Sequence, residues 1–471
     1  MRVFHTIQSD TSSTDDCVEG LRAGLQALRL SSAGGGDFER VEGEVHELFV
    51  AAERAFLGEV LADLDVNVPA LWIDGKLHHR VLRSAESYTS AAGAVKVMRT
   101  LYRQRGEKAV VPLERRAGIV AGHFTPRAAR QGLWAVSHLT PQESERLFGE
   151  LGGMRPSKSS LDRLPKACGA EWEAHREAFE AHLRATLTVP VSAVTVAVSL
   201  DGVMTPMKDL LRSTKREATY AEGKRKRGPA GHQEVGCGTL SFYDVEGSRL
   251  SSVRMARMPE AKKATLKTML EKDLAAVLEQ RPSLQLVKVA DGAQDHWRYL
   301  SEALPRGTEV IDFYHAAEHL KDAFDAAYGE NTPQARARFE TYRHILLEVP
   351  QGVEKVIRTL VYLRGRLAQR KALSLAVGYF RRHRARMQYA TVQAAGLPIG
   401  SGVVEAACKT LVTQRLKRSG MRWRQAGGQA ILTLRSLVQS ERFDAGWRLI
   451  AQCYRSEVSL PSNVIPFPNA A

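Results

Sequence analysis

Two aspartates each follow an apolar, β-branched stretch and each precede a glycine. Asp201 stands in Ser-Leu-Asp-Gly and Asp291 in Val-Ala-Asp-Gly. An Asp-Gly pair after a strand is most often an ordinary turn, but ligands also bind where the strands of an open sheet end. If the two strands are neighbours, their carboxylates converge, and close carboxylates repel unless a cation lies between them. The pair predicts a site for two Mg²⁺ (or Mn²⁺) ions, about 4 Å apart, that would support phosphoryl displacement.

A third carboxylate is found at the start of a later helix. Gly400-Ser401-Gly402 leads into a helix predicted over residues 403–418, with Glu405 in its first turn and Gly420 at its C-cap. The helix macrodipole favours an acid in the first turn whatever its function. The same helix is basic, with these residues: Lys409, Arg415, Lys417, Arg418. A metal carboxylate and phosphate-binding cations on one helix favour a nucleic acid lying along it.

The elements that must position these acids follow a recognisable order. An apolar strand ending at Asp201 is followed by strands at 234–243 and 249–258, a helix at 261–279, a strand ending at Asp291, a short helix and a strand ending at Asp312. This order predicts an α/β, ribonuclease-H-like catalytic domain, with a mixed five-stranded sheet and flanking helices. We place its first part at 188–325, a helical insertion at 326–395, the Glu405 helix at 396–445 and a tail at 446–471.

The preceding half is expected to be mostly helical and to bind DNA. We predict a flexible N-terminus at 1–36, then a helix and a small hairpin turning at Asp74-Gly75 within 37–124. The region 125–187 contains helices at 141–151 and 158–168 around Gly152-Gly153, which is the outline of a helix-turn-helix. Lys158 and Arg163 are its candidate DNA contacts. Pro165 weakens this interpretation, and any packed pair of helices would give the same pattern.

Charge and cysteine content narrow the class of partner and compartment. The net charge of +15 favours a polyanion. The five cysteines never form a Cys-x-x-Cys pair, which favours a reducing compartment and argues against a structural zinc site. The chain shows no secretory signal and no long apolar run, so we expect a cytoplasmic, nucleoid-associated protein without a membrane span.

The C-terminal segment is similar to that of a known family. LPIGSGVVEAACKTLVTQRLKRSGMRW (397–423), followed by GGQAILTLRSL, resembles the signature of bacterial insertion-sequence DDE transposases of the Mutator-like group, specifically the Kra-type family. The resemblance implies that Asp201, Asp291 and Glu405 are the catalytic, metal-binding acids. VIDFYHAAEHL matches the Asp-x-x-His element of the group, here Asp312 and His315. The resemblance covers 190–445 clearly and the N-terminal half more loosely, where the cysteine-bearing, zinc-ribbon-like element of many relatives is absent.

Supporting roles are assigned to further residues. Asp312 is expected near the metals as a supporting acid, and His315 to contact a phosphate or orient the nucleophile, unless it is an ordinary helix-start histidine. A basic loop between the first two strands is expected to hold flanking duplex, unless it is merely solvated; it consists of Lys224, Arg225, Lys226 and Arg227. Arg422 is a further DNA contact, and Trp423 either stacks on an unpaired base or packs in the core.

Together these features predict an insertion-sequence transposase that binds terminal inverted repeats, cleaves DNA and transfers strands. Its partners would be double-stranded DNA and further copies of itself, as a homodimer or larger assembly, with no small-molecule substrate. Two alternatives stay open: a catalytically silent, transposase-derived DNA-binding protein, and a structure-specific nuclease of the same fold.

Overall fold

The computed structural model describes residues 14–32, 37–208, 231–367 and 370–461. These fall into two compact units. The terminal unit comprises Met1–Phe179 and Phe443–Ala471, and the central unit comprises Glu180–Arg442. In the described part of the chain, no helix is both long enough and apolar enough to span a membrane.

The terminal unit begins with two helices, α1 (Thr14–Ser32) and α2 (Phe38–Asp63). The helix predicted at the start of the region 37–124 is confirmed as α2. The prediction of a flexible segment over 1–36 is wrong for 14–32, because this stretch forms helix α1, with Asp15 and Asp16 favourably placed in its first turn.

A small antiparallel sheet follows, and it contains the hairpin predicted at Asp74-Gly75. It consists of β1 (Ala70–Ile73), β2 (Lys76–Ser90) and β3 (Gly93–Arg103). Asp74 and Gly75 connect β1 and β2 with φ values of 48° and 73°. Positive φ at both positions is what a two-residue hairpin turn needs, so the Asp-Gly signal was sufficient here.

Five helices complete the first part of this unit: α3 (Pro112–Ala117), α4 (Pro126–His138), α5 (Pro141–Leu151), α6 (Lys158–Ala174) and α7 (Arg176–Ala185), the last crossing into the central unit. Helix α5 has its predicted bounds and a capping box between Thr140 and Glu143. Helix α6 continues past the predicted end at 168 because Leu164, Cys168 and Trp172 keep its buried face at helical spacing. His175 is the C-cap of α6, and the next helix, α7, begins directly after it.

The central unit is α/β, built on a mixed five-stranded sheet. Its strands and intervening helices are β4 (Thr195–Pro206), β5 (His232–Tyr243), β6 (Arg249–Arg257), α8 (Ala264–Gln280), β7 (Gln285–Ala290), α9 (Gln294–Glu302) and β8 (Thr308–Ile311). The strand order is β6-β5-β4-β7-β8, with β4, β7 and β8 parallel and the other pairings antiparallel. The predicted succession of elements is confirmed.

The centre of this sheet is apolar on both faces. In β4, Val196, Val198 and Leu200 are at most 1% exposed, and Ala197 and Ser199 between them are 4% exposed. Burial of both faces explains why the sequence shows a continuous apolar run rather than an alternating one. Each of the large side chains contributes about 2 kcal/mol by leaving water.

Helices follow the last parallel strand, as predicted. They are α10 (Phe313–Tyr328), α11 (Pro333–Glu348), α12 (Gly352–Arg366), α13 (Arg370–His383) and α14 (Tyr389–Ala394). Their buried residues join those of the sheet in one core, so the predicted insertion packs as part of the central unit. The Glu405 helix comes next: α15 (Gly402–Ala407), a π-helical segment (Cys408–Thr413) and α16 (Gln414–Leu416).

The chain ends with α17 (Gln425–Gln439) in the central unit, then α18 (Phe443–Gln452) and β9 (Val458–Ser459) in the terminal unit. Strand β9 pairs with β1, which extends the small sheet to the order β3-β2-β1-β9. The assignment of 446–471 to a tail is therefore wrong up to Ser459, and residues 462–471 lie outside the described part of the chain. The amphipathic α18 buries Phe443, Trp447 and Ile450 on one face.

Candidate functional site

Three aspartates stand at one level of the three parallel strands. The last paired residues of β4 and β7 are Ser199 and Val289, each two residues before an aspartate, Asp201 or Asp291. Asp312 directly follows β8, whose last residue pairs with Ala290, and its N–H donates to the Ala290 carbonyl at 2.9 Å. The predicted adjacency of the Asp201 and Asp291 strands is confirmed.

Asp201 lies inside its strand rather than at the end. Strand β4 continues to Pro206 because β5 stays paired with it along its whole length, Cys237 standing opposite Asp201. The parallel partner β7, in contrast, pairs only up to Ser199. Asp201 is half-buried at this opening, and its Oδ1 accepts from the Gly202 N–H at 2.6 Å.

Neither of the two glycines after these aspartates has the positive φ of an Asp-Gly turn. A Cβ on Gly202 would lie 2.0 Å from Glu234 Oε1, and a Cβ on Gly292 would lie 2.6 Å from a ring carbon of Tyr379. Both glycines therefore allow a side chain from another element to approach the strand edge closely. The two glycines are therefore explained by close packing and not by an Asp-Gly turn.

Asp312 is completely buried and joins two segments. It caps α10, its Oδ1 accepting from the His315 N–H at 2.9 Å, and its Oδ2 accepts from the Ser401 N–H. The Phe313 N–H also donates to the Ile399 carbonyl at 3.0 Å. Asp312 thus holds the glycine-rich loop before the Glu405 helix against the end of β8.

Glu405 points to the same region as His315. Its Oε1 accepts from the Ser401 hydroxyl at 3.0 Å and lies 3.9 Å from His315 Nε2. Burial lowers the pKa of His315, but the Glu318 hydrogen bond and the charges of Asp312, Glu318 and Glu405 outweigh it, so the pKa is raised overall. This is the response of an imidazole in an acidic pocket.

The Glu405 helix reaches from Asp312 to Asp201. One turn after Glu405, the Cys408 thiol donates to Asp201 Oδ2 at 3.4 Å. A hydrogen bond with Cys237, burial and the Asp201 charge raise the pKa of Cys408, which keeps it a protonated donor. The helix is π-helical from Cys408 to Thr413, and π segments are frequent at functional sites. Glu405 therefore lies over the edge of the sheet that carries the aspartates.

A network around Asp291 was not predicted. His296 Nδ1 lies 3.1 Å from Asp291 Oδ1, and His296 Nε2 lies 2.9 Å from Lys263 Nζ. Since an ammonium only donates, His296 is assigned as the neutral tautomer that donates from Nδ1 to Asp291. Burial raises the pKa of Asp291, but hydrogen bonds from His296 and from the Ala293 N–H, together with the nearby His315 imidazole, lower it below its ordinary value.

Lys263 connects this network to β4, the strand that carries Asp201. Its ammonium donates to Glu234 Oε1 at 3.0 Å and to the Asp201 carbonyl at 3.5 Å. Lys262 and Lys263 both adopt left-handed backbone, with φ of 54° and 56°. Such backbone is costly for residues other than glycine and is retained where surrounding contacts enforce it, often at functional sites. Sequence patterns show no signal for this arrangement.

Among the described residues, Asp312, His315 and Glu405 form one of two groups whose ligand atoms lie within 4.8 Å of one another and could hold a metal ion. Asp201 and Asp291 are not members of that group. The structure brings all five of these predicted residues to the region between the sheet edge and the Glu405 helix. Which of them hold an ion remains a prediction.

The predicted DNA contacts have different environments. Exposed on or just after the Glu405 helix are Lys409, Lys417, Arg418 and Arg422. Arg415 is 2% exposed, its guanidinium 5.3 Å from the Trp423 ring centre, which leaves little surface for a phosphate. Trp423 is partly buried and donates to the Leu416 carbonyl at 2.9 Å.

The remaining predicted contacts lie elsewhere. Lys158 and Arg163 are exposed on α6 of the terminal unit, and the Lys158 N–H donates to Glu145 Oε1 at 2.8 Å. The basic loop of Lys224, Arg225, Lys226 and Arg227 lies outside the described residues.

Comparisons with known proteins add little to this geometry. No protein-family model matches the chain. No curated protein matches it in sequence. Among solved structures, it is similar to the Drosophila P element transposase strand transfer complex at 9% identity, over 70% of this chain and 84% of that chain, with a TM-score of 0.27. A TM-score this low leaves fold family and function to be argued from the residues.

Proposed function

We propose that this chain is a transposase that cleaves and joins DNA strands by metal-dependent phosphoryl transfer, with Asp201, Asp291 and Glu405 as its metal-binding acids. The observation that carries the proposal is the common level of Asp201 and Asp291 on adjacent parallel strands, beneath the helix that bears Glu405. Side chains distant in sequence are thereby brought to one opening at the edge of the sheet.

The sheet supports assignment to the ribonuclease-H-like class. Three antiparallel strands, a helix, a parallel strand, a second helix and a last parallel strand occur in that order, and the order in space is β6-β5-β4-β7-β8. This is the arrangement on which the expected metal site depends, since it makes β4 and β7 neighbours. The assignment to the Mutator-like, Kra-type family rests on the resemblance of the C-terminal segment.

The donor set suits Mg²⁺ or Mn²⁺. Asp201, Asp291 and Glu405 offer hard carboxylate oxygens, and Asp291 has a lowered pKa that keeps it ionised. When bound, two such ions would supply activation of the attacking hydroxyl and stabilisation of the leaving oxygen. Water, and then a DNA 3′-hydroxyl, would be the nucleophiles of cleavage and joining.

Other residues have positioning roles in this proposal. His296 orients the Asp291 carboxylate, and Asp312 holds the loop from which Glu405 extends. Lys263 places an ammonium, whose side chain is 12% exposed, beside the Asp201 strand, where it would attract a phosphate. The exposed cations that follow Glu405 extend this positive surface, as duplex binding requires.

The central test is DNA cleavage by Asp201→Asn and Asp291→Asn variants. Each change removes a charged ligand with almost no change in volume. The substrate is DNA that carries the terminal inverted repeats of the insertion sequence. We expect its Mg²⁺-dependent cleavage to fall about a thousandfold, which corresponds to about 4 kcal/mol of lost transition-state stabilisation. Asp295→Asn is the matched control, because Asp295 is 87% exposed on the neighbouring helix.

Binding of the same DNA should persist in both variants, which separates lost chemistry from lost folding. Wild-type activity in either variant would refute the assignment of that acid. Cleavage without joining of the 3′-hydroxyl end to a second DNA would favour a structure-specific nuclease. DNA binding with no metal-dependent cleavage by the wild-type chain would favour the silent DNA-binding protein.

A further inference from the structure

A second group of potential metal ligands lies in the terminal unit. Glu171 and His175 are at the end of α6, and Cys453 directly follows α18. His175 Nδ1 lies 3.9 Å from Glu171 Oε2 and 3.9 Å from Cys453 Sγ. All three ligand atoms lie within 4.8 Å of one another.

These separations suit a small tetrahedral ion. Bonds of about 2.0 Å to nitrogen and oxygen and about 2.3 Å to sulfur place neighbouring tetrahedral ligands about 3.3–3.8 Å apart. His175 Nδ1 is 3.9 Å from each of the other two ligand atoms, and every separation in the group is within 4.8 Å, so the side chains would have to move closer together to bind an ion.

We propose that Glu171, His175 and Cys453 form a site for a transition-metal ion of the zinc class. A thiolate, an imidazole and a carboxylate together select a borderline-soft ion such as Zn²⁺. Mg²⁺ prefers oxygen ligands only, so the ion expected at the Asp201 edge would not compete well here. His175 is exposed, which leaves a fourth position open to water.

Local structure places the three ligands. Glu171 and His175 are four residues apart and therefore share one face of the helix. His175 is the C-cap of α6, and its ring stacks on Phe179 with centroids 5.5 Å apart. The Cys453 thiol is within 3.6 Å of the Leu449 carbonyl, one turn back in α18.

Binding must exchange one existing contact for the metal. His175 Nδ1 is hydrogen-bonded with the Glu171 carbonyl at 3.0 Å. A ring nitrogen bound to metal cannot keep that bond, although the other ring nitrogen of a ligating histidine usually finds such a carbonyl or a water. The exchange costs one hydrogen bond at an exposed position, which is small beside three metal bonds.

The consequence is a cross-link between distant parts of the chain. The metal would tie the end of α6 to the segment that returns to the terminal unit after Arg442. The absence of a Cys-x-x-Cys pair argues only against zinc sites whose cysteine ligands are close in sequence. Here one cysteine joins a helical Glu-x-x-x-His pair through the fold.

The test is titration of the reduced, metal-free, full-length chain with Co²⁺, followed by displacement with Zn²⁺. We expect one equivalent to give a thiolate-to-cobalt charge-transfer band and intense d–d bands of a four-coordinate ion, which Zn²⁺ then abolishes. Cys453→Ser should remove the charge-transfer band. Cys17→Ser, which alters a cysteine of α1, is the matched control and should keep it.

Two further variants keep the test decisive. Cys408→Ser should also retain the band; a band lost there but kept in Cys453→Ser would assign the signal to the central unit and overturn the proposal. Should Cys453→Ser fail to fold, Glu171→Gln and His175→Asn must each weaken Co²⁺ binding at least about tenfold while the thiol is intact. No charge-transfer band in the wild-type chain, or unchanged affinity in both variants, would overturn it.

Discussion

In the central unit the potential ligands are brought together by a sheet, whereas in the terminal unit they are brought together by two helix ends. Asp201 and Asp291 share a level because β4 and β7 are in parallel register. Glu171 and His175 share a helix face, and Cys453 reaches them from α18. The sheet presents hard oxygen ligands supported by a buried network, and the helix ends present mixed ligands at a half-exposed surface.

The two arrangements predict different responses to mutation and to metal removal. At the sheet edge, His296 is hydrogen-bonded to the Asp291 carboxylate, Asp312 holds the loop before Glu405, and Lys263 contacts the Asp201 carbonyl, so a change in a supporting residue should alter metal binding. At the helix ends the proposed ligands would join two distant parts of the terminal unit, so metal removal should alter stability rather than chemistry. The following predictions test that contrast.

The largest effect is expected at Glu405. Glu405→Gln should lower Mg²⁺-dependent cleavage about a thousandfold, because an amide is a poor ligand for a divalent ion. Single-turnover cleavage of labelled DNA would measure it, with Glu340→Gln, an exposed glutamate of α11, as the matched control. Undiminished cleavage by Glu405→Gln would remove this helix from the site.

The next largest effect concerns stability of the terminal unit. Zn²⁺ at a hundredfold excess over its Kd should stabilise this unit by about 2.7 kcal/mol, which raises its melting temperature by about 5–10 °C. Differential scanning calorimetry of the metal-free chain would measure the shift. Mg²⁺ at the same concentration as Zn²⁺ should leave that transition unchanged. An equal Zn²⁺-dependent shift of the melting temperature in Cys453→Ser would contradict the contrast between the two sites.

A smaller effect is expected at His296. His296→Ala removes the hydrogen bond to Asp291, so the Mg²⁺ concentration for half-maximal cleavage should rise about ten- to a hundredfold. His296→Asn should restore much of the affinity, since its amide nitrogen can occupy the position of Nδ1. Equal defects in the two variants would mean that His296 acts through packing and does not orient Asp291.

The smallest effect is a pH dependence confined to the central unit. His383 is 2% exposed, and neither ring nitrogen has a hydrogen-bond partner among the described residues. Burial and the charges of Arg386 and Arg382 lower its pKa to about 4. The unfolded chain therefore binds a proton that the folded chain does not between about pH 6.5 and 4, so stability is complete above 6.5 and falls as the pH drops through this window.

His383→Phe should abolish this loss because phenylalanine does not titrate. Between pH 7.5 and 5.5 the wild-type chain should lose about 1.4 kcal/mol of unfolding free energy relative to the variant. Urea unfolding of the central unit at both pH values would measure it. Parallel pH profiles for the two proteins would show that His383 does not carry the dependence.

Much of the central unit could be predicted because its signals are local. Apolar runs that are buried on both faces identify strands, and helical spacing identifies α8 and the Glu405 helix. The hairpin turn at Asp74-Gly75 followed from the backbone preference of two residues. Helix α1 and the packed C-terminal segment were missed because both lie near a terminus, where a flexible segment was expected, although α18 carries apolar residues at helical spacing.

Sequence patterns were enough to predict the order of the strands, the basic helix that follows and three candidate acids, Asp201, Asp291 and Glu405. Four contacts could be seen only in the folded chain. Glu234 packs against Gly202, and the buried Asp312 is hydrogen-bonded to the loop before Glu405. Arg415 packs against the Trp423 ring, and the Cys453 thiol lies 3.9 Å from His175. The two sets of features differ in how far apart in sequence the interacting residues are. Backbone preference and apolar periodicity act between residues a few positions apart, while these contacts join residues from different elements and depend on how those elements pack.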